Sequence, residues 1–401
     1  MRRGPWHQFG DRSQRLAIEQ IENGKGVGVI ISPRDLAYRH AIRYAQVYHD
    51  LSVQVLLDPQ FYVPDFSNRN LISYPTNDIR TIVSQMQPLS EVELARLASA
   101  IREVNNEINA DGIIAPAVIY QAGRQDIIQM NSRLFRVAKN VGDEIGIPTY
   151  ASVVMGRSAT SSEQTIDAIL GPVTSLNADG WYFAFEFEPE RIPSSHDAIY
   201  RFCVAGLKLA YTGKPVLHAY AGPMALLSFG FGATATGIGH CQNLWRFCVG
   251  RWQPRGRNGG RGDAPARYFS KSLWGTIIYP EEFSSLSIDL QSTVLSPSLF
   301  STLVNPGQPF LQFSRWDANK HLVYTICSTV GEISESLDPR TNASAAITLL
   351  QNSISLHGTI AGMGLTLRDD TNIYQENWRT ALNELLESRA SEYDYLELLR
   401  S

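Results

Sequence analysis

The carboxylates and histidines that could do chemistry stand at the ends of short apolar runs. Asp58 follows the run VQVLL, Glu186 lies in the alternating run GWYFAFEFE, and His218 closes the run that begins at Pro215. A carboxyl group in such a place can act as a general acid, a general base or a nucleophile on a sugar carbon, and a histidine can move a proton. We therefore take Asp58, Glu186 and His218 as the candidate catalytic residues.

Residues 180–188 alternate with a period of two, as a strand with two different faces does. The three phenylalanines fall on one face, where they would pack against helices. Glu186 and Glu188 fall on the other face with Tyr182. Burying a charged side chain costs free energy unless the charge is paired or hydrogen-bonded, so a buried glutamate suggests a partner or a function. We expect Glu186 to be catalytic and Glu188 to bind substrate. The alternative for Glu188 is that it is simply exposed to solvent at the end of the strand.

The segment 214–240 reads as an apolar strand, a helix begun by Gly-Pro, and a glycine-rich strand. Polar or glycine residues close both strands, and glycine lets a ligand approach the backbone closely. The candidate binding residues here are Tyr220, Gly222, Gly237, Gly239 and His240. For each histidine the alternative is a satisfied core residue.

The segment 250–267, GRWQPRGRNGGRGDAPAR, is rich in glycine and arginine. Arginines interleaved with glycine suit phosphate contacts. We expect Arg255, Arg257 and Arg261 to bind a nucleic-acid or protein acceptor, the alternative being an exposed loop without function.

Strand-like and helix-like segments alternate along the chain, which predicts right-handed crossovers and a parallel sheet. Seven strands by residue 240 predict an α/β fold, a TIM (β/α)8-like barrel with a C-terminal helical extension. We assign residues 1–290 to the barrel domain and 291–401 to barrel completion and a helical region. The predicted strands cover 26–32, 53–57, 112–120, 148–155, 180–188, 215–220 and 233–238.

Composition limits the class of protein. The formal net charge of −4 argues against a uniformly basic nucleic-acid binder. No run of eighteen apolar residues appears, so we expect no membrane span, and the N-terminus predicts a cytoplasmic protein. The four cysteines are scattered rather than paired at zinc-site spacing. We predict no metal and no cofactor.

Two segments carry a resemblance to a known family. The run PVLHAYAGPMALLSFGFGATATGIGHCQNLWRF resembles the late-barrel segment of tRNA-guanine transglycosylases, especially the archaeal type. LLDPQF at 56–61 resembles that family's Asp-Ser-Gly-x-Phe element, and WYFAFEFE stands where the family reads its deazaguanine base. The resemblance covers roughly residues 26–280.

The resemblance implies a TIM barrel that handles guanine or 7-deazaguanine bases. By this resemblance, Asp58 matches the family's early-strand aspartate, which acts as an acid, a base or a nucleophile. His218, Tyr220 and Gly222 would lie along the base pocket, with Glu186 near it. Relatives in DNA modification and antiphage defence imply a deazaguanine-synthesis protein as a partner.

The chain also departs from the family. No carboxylate stands at 237–240, where the later-strand aspartate would fall, and the zinc motif is absent. These departures favour a member with a different acceptor. One alternative is a catalytically inactive barrel that serves as a binding subunit of a defence complex. Another is an unrelated barrel glycosidase or hydrolase that pairs Asp58 with Glu186. Convergence of Asp58, Glu186 and His218 on one pocket is the geometric criterion for the enzyme hypotheses.

Overall fold

The computed structural model describes residues 1–10, 12–63, 67–187, 192–252, 265–296, 303–304, 306–307, 313–368 and 372–400. Eight parallel strands in this part of the chain form one sheet, in the order β3-β2-β1-β8-β7-β6-β5-β4. Their bounds are β1 Gly4–Gln8, β2 Gly28–Ile31, β3 Gln54–Leu57, β4 Ile113–Ile114, β5 Thr149–Met155, β6 Gly180–Phe185, β7 Val216–His218 and β8 Ala235–Gly239.

The two end strands of this order, β3 and β4, meet through Asp111. The Asp111 backbone N–H donates to the Val55 carbonyl at 3.0 Å, and its carboxylate accepts the Val55 N–H at 2.7 Å. These bonds satisfy the backbone N–H and C=O of Val55 and join the two end strands, so the sheet forms a nearly closed barrel. The fold is therefore an α/β TIM-like barrel, as the sequence predicts.

The strand β1 was not predicted. It is short, it contains Pro5, and it carries no apolar run, so its sequence gives little strand signal. Its partners decide its place: Trp6 pairs with Gly28 of β2 and with Gly237 of β8. A Cβ at Gly28 would lie 2.5 Å from the Trp6 ring, so glycine there makes room for the indole.

Helices follow most strands and cover the outside of the barrel. Ser90 and Glu93 form a capping box at the start of α5. The helices are α1 Ser13–Glu22, α2 Tyr38–Asp50, α3 Arg69–Ile72, α4 Asn77–Ser84, α5 Glu91–Glu107, α6 Gln125–Ile145, α7 Glu163–Thr174, α8 His196–Ala210, α9 Ala225–Ser228, α10 Glu281–Ser285, α11 Ile288–Val294, α12 Arg315–Ile333, α13 Pro339–Gly362, α14 Ile373–Ser388 and α15 Ala390–Arg400.

The region after β8 adds a hairpin and the last helices. β9 (Ala266–Ser270) pairs antiparallel with β10 (Gly275–Tyr279). α12 packs against α1, β1 and β8, so it takes the place of the barrel's eighth outer helix. α14 packs against α8 and α13. All strands of the eight-stranded sheet lie between residues 4 and 239; the division of the chain at residue 290 remains a prediction.

Side chains alternate between the barrel interior and the layer under the helices. Trp6, Ile30, Leu56, Val154 and Tyr182 belong to the interior cluster. Outward residues such as Phe183 and Phe185 pack with the helices. Among the helices in the ranges given above, none is long and apolar enough to cross a membrane.

Candidate active site

Asp58 lies directly after β3, at the end of the barrel where the strands finish, and no part of it is exposed. Its Oδ2 accepts hydrogen bonds from the hydroxyls of Tyr182 (2.7 Å), Tyr220 (3.0 Å) and Tyr62. Its Oδ1 accepts the backbone N–H of Gln60 at 3.1 Å. We call Asp58 and these three tyrosines the tyrosine–aspartate cluster.

The cluster is assembled from three parts of the chain: the loop after β3, the strand β6 and the residue two positions beyond β7. The Gln60 amide supports it by donating to the Tyr220 hydroxyl (3.1 Å) and to Ser32 Oγ (2.9 Å). Gln60 and Tyr220 both have positive φ, +53° and +56°. Such conformations are strained for residues other than glycine and cluster at functional sites.

Burial sets the protonation behaviour of the cluster. Desolvation raises the pKa of Asp58, while hydrogen bonds from Tyr62, Tyr182, Gln60 and Tyr220 act in the opposite direction. Desolvation and the neighbouring Asp58 carboxyl raise the pKa of Tyr62 and Tyr182 well above the ordinary value. Tyr62 and Tyr182 therefore stay neutral hydrogen-bond donors beside the Asp58 carboxyl group.

Two aromatic rings from the segment after β8 cover the cluster. Phe247 lies 5.4 Å from the Tyr62 ring and 5.6 Å from the Tyr220 ring, measured between centroids. Trp252 lies 5.7 Å from Tyr62 and 5.5 Å from Phe247. We call Phe247 and Trp252 the aromatic cover. It excludes water from Asp58, which accounts for the desolvation.

Glu186 holds this cover in place. It follows β6 and forms a bridge with Phe247. Its carboxylate accepts the backbone N–H of Val249 at 2.9 Å and that of Arg157 at 3.2 Å. Glu186 faces the barrel mouth, as the alternation indicates, but its two oxygens bind backbone groups. Glu186 therefore anchors the segment that carries Phe247 and Trp252. It makes no contact with Asp58 among the hydrogen bonds given above.

His218 lies away from the tyrosine–aspartate cluster, and its expected catalytic place is wrong. It points out of the barrel, where Nδ1 lies 2.7 Å from Ser228 Oγ and the ring packs 4.7 Å from Phe202. Burial lowers the pKa of His218 to about 3, so the ring is neutral. β7 ends at His218 and Tyr220 has a positive φ, so the expected shared face of these two residues is lost. Asp58, Glu186 and His218 therefore do not converge on one pocket, and the geometric criterion is not met. An enzyme hypothesis has to rest on Asp58 without these two partners.

The candidate binding glycines make room for the protein's own side chains. A Cβ at Gly222, whose φ is +48°, would lie 2.5 Å from the Cα of Trp245. One at Gly239 would lie 2.0 Å from the Leu244 Cβ, and one at Gly237 would lie 3.0 Å from Gln8 Oε1. The space expected for a ligand at Gly222 and Gly239 is thus filled by residues 244 and 245.

His240 is buried just after β8 and lies close to Gly10, where an added Cβ would approach its Cε1 to 3.4 Å. Four predicted site residues lie outside the described part of the chain: Glu188, Arg255, Arg257 and Arg261. Within the described part, no group of three or more histidine, cysteine or carboxylate side chains is placed to hold a metal ion.

Sequence reasoning missed several residues of the site. Gln60 and Tyr62 follow Asp58 by two and four positions, and Tyr182 shares the inward face of its strand with Glu186. Gln8 was missed as well, because it is the last residue of β1 and the sequence pattern does not predict that strand. Gln8 is 1% exposed, and neither atom of its amide has a partner within the described residues. Only its position at the end of a strand could have drawn attention to it.

The fold and the cluster define a TIM-like barrel with a buried carboxyl group at the strand ends, the end where enzymes of this fold carry their active sites. No protein-family model and no curated protein matches the chain. Among solved structures, it is similar to dihydrodipicolinate synthase from Oceanobacillus iheyensis, with 11% identity over 97% of each chain and a TM-score of 0.32. This likeness is too low to bear on function, and the fold assignment rests on the strand pairing.

Proposed function

We propose that this barrel is a transglycosylase-like enzyme that handles a guanine or 7-deazaguanine base, with Asp58 as its reactive carboxyl group. The observation that carries the proposal is the burial of Asp58 at the strand ends among three tyrosine hydroxyls. A carboxyl group with a raised pKa can keep or release a proton near neutral pH, as an acid or base must.

The two oxygens of Asp58 differ in a way that suits glycosyl transfer. Oδ2 accepts three hydroxyl groups, whereas Oδ1 accepts only the Gln60 N–H among the contacts above. Oδ1 is therefore the oxygen available to a sugar carbon or to a base nitrogen. The tyrosines would stabilise negative charge on the carboxylate as the glycosidic bond changes.

A planar base would find two kinds of contact in the barrel mouth. The rings of Tyr62, Tyr220, Phe247 and Trp252 offer faces on which a purine-like ring can stack. The Gln8 amide offers a donor and an acceptor side by side, which is the pattern that pairs with the edge of a base. Entry requires the aromatic cover to move, as lids do in many enzymes.

The test is calorimetric titration of the purified chain with guanine and with 7-cyano- and 7-amido-7-deazaguanine. We expect saturable binding that weakens in Asp58→Asn and in Gln8→Leu. The exposed Asp289 on α11 provides the matched control, because Asp289→Asn makes the same chemical change at a residue outside the tyrosine–aspartate cluster. Absence of binding by a chain whose cooperative melting shows that it is folded would overturn the proposal.

The aromatic cover favours a second candidate, the catalytically inactive barrel that serves as a binding subunit. Asp58 has no exposed surface and its hydrogen bonds are internal, as in a structural network. On this hypothesis no base binds, and Asp58→Asn changes stability alone. The same titration therefore separates the two candidates. The paired-carboxylate hydrolase has less support, because Glu186 is engaged by backbone N–H groups.

A further inference from the structure

A cavity lies beside the barrel mouth, apart from the tyrosine–aspartate cluster. Its volume is about 270 Å³. Three elements enclose it: the segment after β8 that includes Asn243 and Trp245, the hairpin β9–β10 through Arg267, and the first turns of α12 through Arg315 and Asn319. This volume is close to the lower end of small-molecule pockets, which start at about 300 Å³.

The charges around this cavity favour an anion. Two of the residues that line it are arginines, two are asparagines, and its described lining contains no acidic residue. The N-terminus of α12, a helix of 19 residues, adds the partial positive charge of its first N–H groups.

The acidic residue in the first turn of α12 is Asp317. Its carboxylate accepts the Ser314 N–H at 3.1 Å and the Ser314 hydroxyl at 2.6 Å, which completes a capping box. Asp317 is thus turned toward the cap, and it is absent from the cavity lining. It reduces the positive potential at the helix end without occupying the space between the arginines.

The position of the cavity agrees with its charge. Barrels of this fold often bind phosphate at the loops after strands 7 and 8, next to a helix N-terminus. Here the wall residue Trp245 lies in the segment after β8 and packs against Gly222, which lies in the segment after β7. The first turn of α12 supplies the helix N-terminus.

We propose that this cavity, between Arg267 and Arg315, binds the phosphate group of a small phosphorylated ligand. Planar guanidinium groups bind phosphate through charge-assisted, often bidentate hydrogen bonds. Asn243 and Asn319 would donate further amide hydrogen bonds. The site stands independently of the base-handling proposal, because none of its lining belongs to the tyrosine–aspartate cluster.

The experiment titrates the full chain with inorganic phosphate at constant ionic strength, with chloride as the reference anion. A second arm compares ribose 5-phosphate with ribose, which separates a bound phosphate ester from a bound free ion. The variants are Arg315→Gln and Arg267→Gln. The matched control is Arg39→Gln, at an exposed arginine on α2. Circular dichroism and melting curves check that each variant is folded.

We expect saturable phosphate binding that Arg315→Gln weakens by about tenfold or more, since a charge-assisted bond is lost. Arg39→Gln should bind as the wild type does. Binding no stronger than that of chloride would overturn the proposal, and so would equal weakening by the Arg315 and Arg39 variants. Because no base and no turnover enter the assay, its result is independent of the fate of the proposed function.

Discussion

Replacing Gln8 by leucine should stabilise the free protein while weakening its binding of a base. The Gln8 side chain is 1% exposed, and neither its amide oxygen nor its nitrogen has a partner in the part of the chain that the structure describes. Leaving a buried donor or acceptor unpaired costs about 1–3 kcal/mol. Leucine has a similar size and carries no polar atom, so the change should recover about 1–3 kcal/mol of unfolding free energy.

The assay is urea unfolding monitored by tryptophan fluorescence. The comparison requires that the wild type and the variant have the same m-value, the slope of unfolding free energy against urea concentration. Gln291→Leu is the matched control. Gln291 is 5% exposed, its Nε2 donates to the Leu286 carbonyl at 2.8 Å, and its Oε1 accepts the Gly307 N–H at 2.9 Å. Because both of its amide atoms are paired, this control should lose about 1–3 kcal/mol. The two glutamine variants should therefore change stability in opposite directions.

Base binding gives the second half of this prediction. If the Gln8 amide pairs with a base, its loss should weaken the calorimetric affinity by about tenfold to a hundredfold, equivalent to about 1.4–2.7 kcal/mol. A Gln8→Leu variant that is as unstable as Gln291→Leu would refute the reasoning, since the amide would then be satisfied in the free protein. A stabilised variant with unchanged base affinity would leave Gln8 without a role in recognition.

Three further predictions concern pH, the cluster and its cover. Burial lowers the pKa of His218 to about 3, so the unfolded chain takes up a proton below about 6.5 that the folded chain refuses. The free energy of unfolding therefore falls as pH falls, and His218 accounts for about 2 kcal/mol of this loss at pH 5. His218→Asn should remove that contribution, which urea unfolding at pH 7.5 and at pH 5 measures. Tyr182→Phe deletes the 2.7 Å hydrogen bond to Asp58 and should cost about 1.5–3 kcal/mol at pH 7.5; an unchanged urea midpoint would show that this bond contributes nothing. Glu186→Ala releases the segment that carries Trp252, so acrylamide should quench the fluorescence of this residue more readily, with Trp252→Phe as the spectral reference; equal quenching in the parent and variant would remove Glu186 from the role of fastening the cover.

The alternation of strands and helices was predictable because it rests on local patterns. Apolar runs gave β2, β3 and β5, and an alternating run gave β6, nearly at their observed bounds. The Ser-x-x-Glu pattern at 90–93 marks the start of α5. β1 was not predictable in this way. Its five residues become a strand because the barrel places β2 on one side of them and β8 on the other, and both strands form backbone hydrogen bonds with β1.

The sequence by itself determined that Asp58 ends a buried strand and that Glu186 faces inward, since both follow from strand patterns along a few residues. Only the tertiary structure decided which groups meet Asp58. Tyr182 and Tyr220 lie 124 and 162 positions away in the chain and reach it through the barrel's curvature. The positive φ of Tyr220 breaks the alternation after His218, so one side chain enters the barrel and the other leaves it. That choice depends on backbone geometry and packing across the barrel, which a local pattern of residue types does not contain.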